Sequence, residues 1–165
     1  MVPDVDSVAQ LRFVLSHPLA FLGAAGGTVA ALYGRWLEGI VGNLGHFDVE
    51  IPAAATALGL AAVAASASLE RGALTLVRRL LLFGSFVVTS LALLTMAFLS
   101  WAPVGADQIP GVQGRYFLPM LPFALVLVPR IPRASERGLA VAVTASLALV
   151  LCISALALVR AYYTS

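Results

Sequence analysis

Residues 80–101 read LLLFGSFVVTSLALLTMAFLSW, an apolar run without a single charged side chain. At 1.5 Å per residue a helix of this length reaches about 33 Å, enough to cross a hydrocarbon core of roughly 30 Å. Working outward, Leu19–Leu37, Ile51–Leu69 and Gly138–Val159 form three more runs of sufficient length, each about 28 Å or longer as a helix. A fifth, Tyr116–Pro129, is shorter at about 20 Å and is interrupted by Pro119 and Pro122. It reads as a tilted or broken span, or as a re-entrant piece sheltered by its neighbours.

The whole chain of 165 residues repeats the pattern: 61% of it is hydrophobic and 11% charged, with a mean hydropathy of +0.98. A soluble domain carries about 25% charged residues, so this chain lacks the polar atoms to cover itself with water. The expectation is an all-α, polytopic integral membrane bundle. About five transmembrane or membrane-embedded helices would form a single membrane domain over residues 1–165. Ahead of them, Val5, Val8, Leu11 and Leu15 recur at helical spacing, which predicts an amphipathic helix over residues 4–16 lying on the bilayer surface. Asp4 and Asp6 make this start acidic, unlike the basic start of a signal peptide.

All ten basic residues are Arg, scattered along a chain of net charge +2, so no basic face exists to grip nucleic acid. Cys152, alone within an apolar run, forms no internal disulfide and reads as inert packing.

Orientation follows from arginine counts in short loops, because basic residues resist translocation. With five alternating crossings, Arg12, Arg71, Arg78, Arg79, Arg130, Arg133 and Arg137 share one side, and Arg35, Arg115 and Arg160 the other. This predicts a cytoplasmic N-terminus and an outer C-terminus. Trp36, Trp101, Tyr162 and Tyr163 then fall at the outer interface, as aromatic belts do. Two loops face outward, Glu38–Glu50 and Ala102–Arg115, and they hold most of the unusual polar residues.

No charge falls in the middle of a span, which disfavours ion-coupled transport. Thr28, Thr56, Thr89, Thr95 and Thr144 can bond their own helix backbones. His17 and His46 lie at opposite ends of the first span and cannot share a haem iron. In the outer loop, His46, Asp48 and Glu50 alternate, so on an extended segment they would point one way and could hold a divalent cation. The same residues also suit a solvated loop leading to Pro52, with Glu50 ahead of a positive helix start.

The segment Ile109–Pro122, IPGVQGRYFLPMLP, is the most distinctive. Gly111 and Gly114 loosen the backbone. Gln113 and Arg115 present an amide and a guanidinium, Tyr116 adds a ring with a hydroxyl, and Pro119 opens the irregular span. A forked Arg donor beside flexible backbone amides suits a phosphate or pyrophosphate oxygen at headgroup depth. Arg and Tyr at an interface can equally be anchors that fix helix depth.

Gln113–Pro119 (QGRYFLP), the outer-loop run Val41–Pro52 and the His17–Pro18 step together resemble the C-terminal half of a family of predicted bacterial membrane proteins. The family is known as domain of unknown function 2142 and is grouped with GT-C-type glycosyltransferases. The resemblance covers nearly the whole chain. It implies a bacterial inner-membrane location and kinship with enzymes that move a sugar from a polyprenyl-phosphate carrier on the outer face. Gln113 and Arg115 would then sit near the lipid phosphate or acceptor, and Tyr116 and Pro119 would shape the helix start. The family's expected aromatic after Gly45 is here His46, with Phe47 next. The catalytic carboxylate of GT-C enzymes belongs to an earlier outer loop that nothing upstream of His17 supplies. The resemblance therefore implies a module incomplete as a catalyst alone, working beside a partner membrane protein that carries the missing helices. The alternative is a non-catalytic scaffold or assembly subunit. It would dock through small-residue stripes, Ala53, Ala57, Ala61 and Ala65 on one span and Gly23 and Gly27 on another.

Overall fold

A computed structural model describes residues 5–44, 49–69, 74–128 and 136–163 of the chain. The described residues are almost all helical. Helix α1 covers Ser7–Ser16, α2 Pro18–Val41, α3 Ala53–Ala67, α4 Leu76–Trp101, α5 Leu121–Leu125 and α6 Glu136–Tyr163, and a 3₁₀ helix over Gly114–Met120 precedes α5. Between α2 and α3, strands β1 (Asn43–Leu44) and β2 (Val49–Glu50) pair antiparallel, with Asn43 opposite Glu50 and Leu44 opposite Val49.

Local chemistry sets these boundaries. Asp6 caps α1, its carboxylate accepting the Val8 and Ala9 amides at 3.0 and 2.9 Å. Pro18 cannot continue α1 but suits the first position of a new helix. His17 before it leaves the helical region, with φ −132° and ψ 58°, and α2 departs from α1 at 106°. At the end of α4, Ala102 is extended ahead of Pro103. Pro119 lies inside the 3₁₀ helix and Pro122 in the first turn of α5, so the short apolar segment that begins at Tyr116 is broken into two short pieces. Helix α6 has Glu136 in its first turn and Arg160 in its last, each placed favourably against the helix dipole.

Two helices, α4 and α6, are long and apolar enough to cross a membrane. The first apolar segment passes that test only when α1 and α2 are taken together across their bend, which would make three spans. The second segment forms the 15-residue α3, too short to cross unaided. The five apolar segments of the sequence are thus all helical, but they differ in kind.

Packing separates into two clusters. The larger joins Phe21, Ala24, Ala25 and Trp36 of α2, Leu94, Ala97 and Phe98 of α4, and Ala102, Ile109 and Val112 from the connection after α4. The smaller joins Ile51 and Ala55 to Val150 of α6. Helix α1 lies against the C-terminal end of α4: the Ser7 hydroxyl donates to the Leu99 carbonyl at 2.8 Å. The alternating-crossing scheme had placed these two elements on opposite faces of the bilayer. Thr28, Thr89 and Thr95 each donate to the carbonyl four residues earlier, the local bond that lets threonine sit in an apolar helix.

Candidate functional site

The site is built by the connection 102–113, which is held at three levels, first by α1 and then twice along α2. At the first, the fully buried Gln10 donates its amide N–H groups to the Pro103 carbonyl at 3.1 Å and the Phe98 carbonyl at 3.4 Å. Its amide oxygen accepts the Gly105 N–H at 3.0 Å. At the second level, the Thr28 hydroxyl donates to Ala24 at 2.7 Å and accepts the Ile109 N–H at 2.8 Å. At the third, the Trp36 indole N–H donates to the Val112 carbonyl at 2.9 Å. The bonds to Pro103, Gly105, Ile109 and Val112 each satisfy a backbone group of the irregular chain that would otherwise be left unpaired.

Glycine permits the turns between these levels. Gly111 has φ +76°, and a side chain there would also run into the Trp101 ring. Gly114 passes so close under the Trp36 backbone carbonyl that a Cβ would overlap it, and its amide lies opposite Gly39 of α2. The Trp36 ring then packs on Phe117 with centroids 5.1 Å apart. Trp36 therefore grips the chain on both sides of Gly114: its indole N–H holds Val112, its ring packs on Phe117 and its backbone lies against Gly114.

This clamp opens a cavity of about 300 Å³ at the C-terminal end of α2. Its walls are Arg35, Trp36 and Glu38 from α2, Glu50 from β2, and the backbone and side chains of residues 111–114. A second cavity of about 350 Å³ also touches Glu38 and Glu50 and continues to Thr56 and Ala57 of α3. Gln113 is half-buried on the wall of the first cavity, and its amide oxygen is buried with no hydrogen-bond donor among the described residues. Arg115 is exposed at the start of the 3₁₀ helix. Tyr116 is half-buried and its amide donates to the Gln113 carbonyl at 3.1 Å. Pro119 is exposed.

Of the three residues considered for a divalent cation, His46 and Asp48 lie outside the described residues, while Glu50 is exposed on the cavity wall. Among the described residues, no group of three His, Cys, Asp or Glu side chains comes together. The structure adds Arg35 and Glu38, which sequence reading did not single out. The three-residue step from Arg35 to Glu38, at the helix end leading to Glu50, was the available signal. Gln10 was missed as well. A lone amide on an otherwise amphipathic helix gives no hint of a loop that follows it by more than ninety residues.

The profile of a family described as "Predicted membrane protein (DUF2142)" matches residues 2–126. The chain belongs to that family. The DUF2142 match takes in the connection 102–113 and the whole QGRYFLP segment and ends before α6. No curated protein and no solved structure matches the chain. Membership establishes a predicted membrane protein, and the DUF2142 description names no reaction.

Proposed function

We propose that this DUF2142 protein is a GT-C-like membrane module that binds a polyprenyl-phosphate-linked sugar at the cavity beside Trp36. The supporting observation is the mixture of groups around this cavity, with Arg115 just beyond its lining. Arg35 lines the cavity and Arg115 follows Gln113 by two residues; guanidinium groups suit phosphate oxygens. The buried Gln113 oxygen, Glu38 and Glu50 are acceptors instead, and acceptors suit sugar hydroxyls, which can donate, whereas an ionised phosphate cannot. A lipid-linked sugar carries both kinds of partner in one molecule. A divalent cation between Glu50 and the phosphate would offset the carboxylate charge, so binding should be measured with and without magnesium.

The test is photo-crosslinking of a polyprenyl-phosphate sugar analogue to the protein in nanodiscs. Gln113→Ala and Arg115→Ala should each weaken capture about tenfold, the loss of one charged or buried hydrogen bond. Unchanged capture by both variants overturns the reading.

One observation favours a scaffold role. Ala53, Ala57 and Ala61 remain exposed on α3, with Ala65 half-buried, and Gly23 and Gly27 have open space over them, so most of both small-residue stripes is uncovered within the described residues. Ala57→Leu with Ala61→Leu should then abolish co-purification with a partner helix protein; retained co-purification excludes that interface.

A further inference from the structure

The position of α2 carries a consequence for how the chain meets the bilayer. From Thr28 to Trp36, one side of α2 is covered by the connection 102–113, while Phe21 nearer its start packs on Phe98 of α4. That connection is irregular backbone, with Asp107 and Gln108 exposed. If α2 crossed the membrane, the connection beside it would cross too, exposing a carboxylate and unpaired peptide groups to acyl chains, which lipid does not tolerate. The opposite side of α2 presents Leu19, Leu22, Tyr33 and Leu37, exposed by 81, 49, 62 and 46%. At about 100° per residue these four lie across the helix from Thr28. Helix α2 is thus apolar and bare on one side and covered by a water-compatible segment on the other.

We propose that α2 lies along one face of the membrane and does not cross it. Its Leu19, Leu22, Tyr33 and Leu37 side rests on the lipid of a single leaflet, and its other side carries the connection 102–113 toward water. Two further observations agree. Helix α2 fails the apolarity of a span unless α1 is added across a 106° bend. Helix α1 is bonded through Ser7 and Gln10 to residues 99–105 at the exit of α4, so α1 and that exit share a membrane face. Helix α1 accordingly lies on the same side as the connection 102–113, not across the bilayer from it. With α2 on one face, the apolar segment Ile51–Leu69, α3 lengthened by its flanking residues, has to carry the chain across. Arg12 then joins Arg35, Arg115 and Arg160, leaving six arginines against four by sequence, so the basic bias still keeps the N-terminal end of α4 in the cytoplasm.

The experiment uses the full chain with Cys152→Ser, carrying Arg12→Cys, Gln108→Cys or Arg78→Cys, in sealed vesicles treated with a membrane-impermeant maleimide. Arg12→Cys and Gln108→Cys should label together, with Arg78→Cys labelled only after permeabilisation or only from the other side. Labelling of Arg12→Cys together with Arg78→Cys and opposite Gln108→Cys overturns the proposal, as does a Gln108→Cys thiol unreactive from both sides. A second measurement covers variants that disturb folding: nitroxides at Leu22, Val29 and Leu37, read by collision with oxygen and with a nickel chelate. Comparable depths at all three support the flat helix, and a maximum of depth at Val29 overturns it.

Discussion

Residues 102–113 contain no helix or strand, yet Ala102, Ile109 and Val112 within them are buried to 0, 1 and 7% exposure. Helix α4, regular along its whole length, leaves Leu76, Val77, Leu81 and Val88 mostly exposed, and only 11% of the most apolar windows of α4 and α6 is buried. The difference is one of solvent. The connection is folded by the ordinary rules of a protein interior, with its apolar side chains packed inward and its backbone bonded by Gln10, Thr28 and Trp36 of α1 and α2. The long helices have little interior to enter, because acyl chains are as good a neighbour for Leu and Val as another helix. Side chains that fix geometry, and with them the candidate site, therefore gather at one end of the molecule.

That contrast predicts very unequal responses to truncation. Phe98, fully buried where α4 meets the connection, has the Phe21 ring at 5.4 Å and the Phe13 ring at 6.5 Å. Phe98→Ala should cost about 3–5 kcal/mol, read as a lowered unfolding midpoint in detergent with tryptophan fluorescence as the signal. A cost below about 1 kcal/mol would mean that this cluster is not an interior at all.

Gln10→Leu probes the polar half of the same region. It keeps the side-chain volume but leaves the Pro103 carbonyl and the Gly105 N–H without their partner, a loss of about 1–3 kcal/mol. Hydrogen exchange should locate the loss: the Gly105 amide should exchange roughly tenfold faster or more, while amides in the middle of α6 keep their protection. Uniform acceleration along the chain would erase the distinction between the two regions.

The sequence discloses the lipid-facing half far better than the other. A run such as 80–101 has no reading in water, and its apolarity alone predicts a helix that the structure places at Leu76–Trp101. Pro18, Pro119 and Pro122 likewise mark breaks that are seen, because a missing N–H acts locally whatever surrounds it. The interior of the other half depends on contacts between distant residues, and no periodicity reports those. Thr28 read as an ordinary helix threonine, and Trp36 as an interfacial anchor. Their bonds to Ile109 and Val112 connect residues about eighty positions apart. For the site, Gln113 was recognised from its motif, and it does line the cavity. Arg35 and Glu38 carried only the weak signal of their three-residue step, and their place on the cavity depends on the chain folding back over α2.

The smallest expected effect is the sharpest test of the comparison. Leu151 of α6 is 69% exposed and Val141 65%, so neither side chain loses many neighbours when shortened. Leu151→Ala should change stability in detergent by less than about 0.5 kcal/mol, against several for Phe98→Ala, although both remove large apolar groups from long helices. The measurement should be repeated in native membranes. If Leu151→Ala remains neutral there as well, lipid is the neighbour of this face and the chain meets the bilayer as a single unit. A cost of about 2 kcal/mol that appears only in the membrane would identify that face of α6 as packed against another protein. The apolar surface of α6 would then be an interface, and the scaffold reading would gain at the expense of the module that binds a lipid-linked sugar alone.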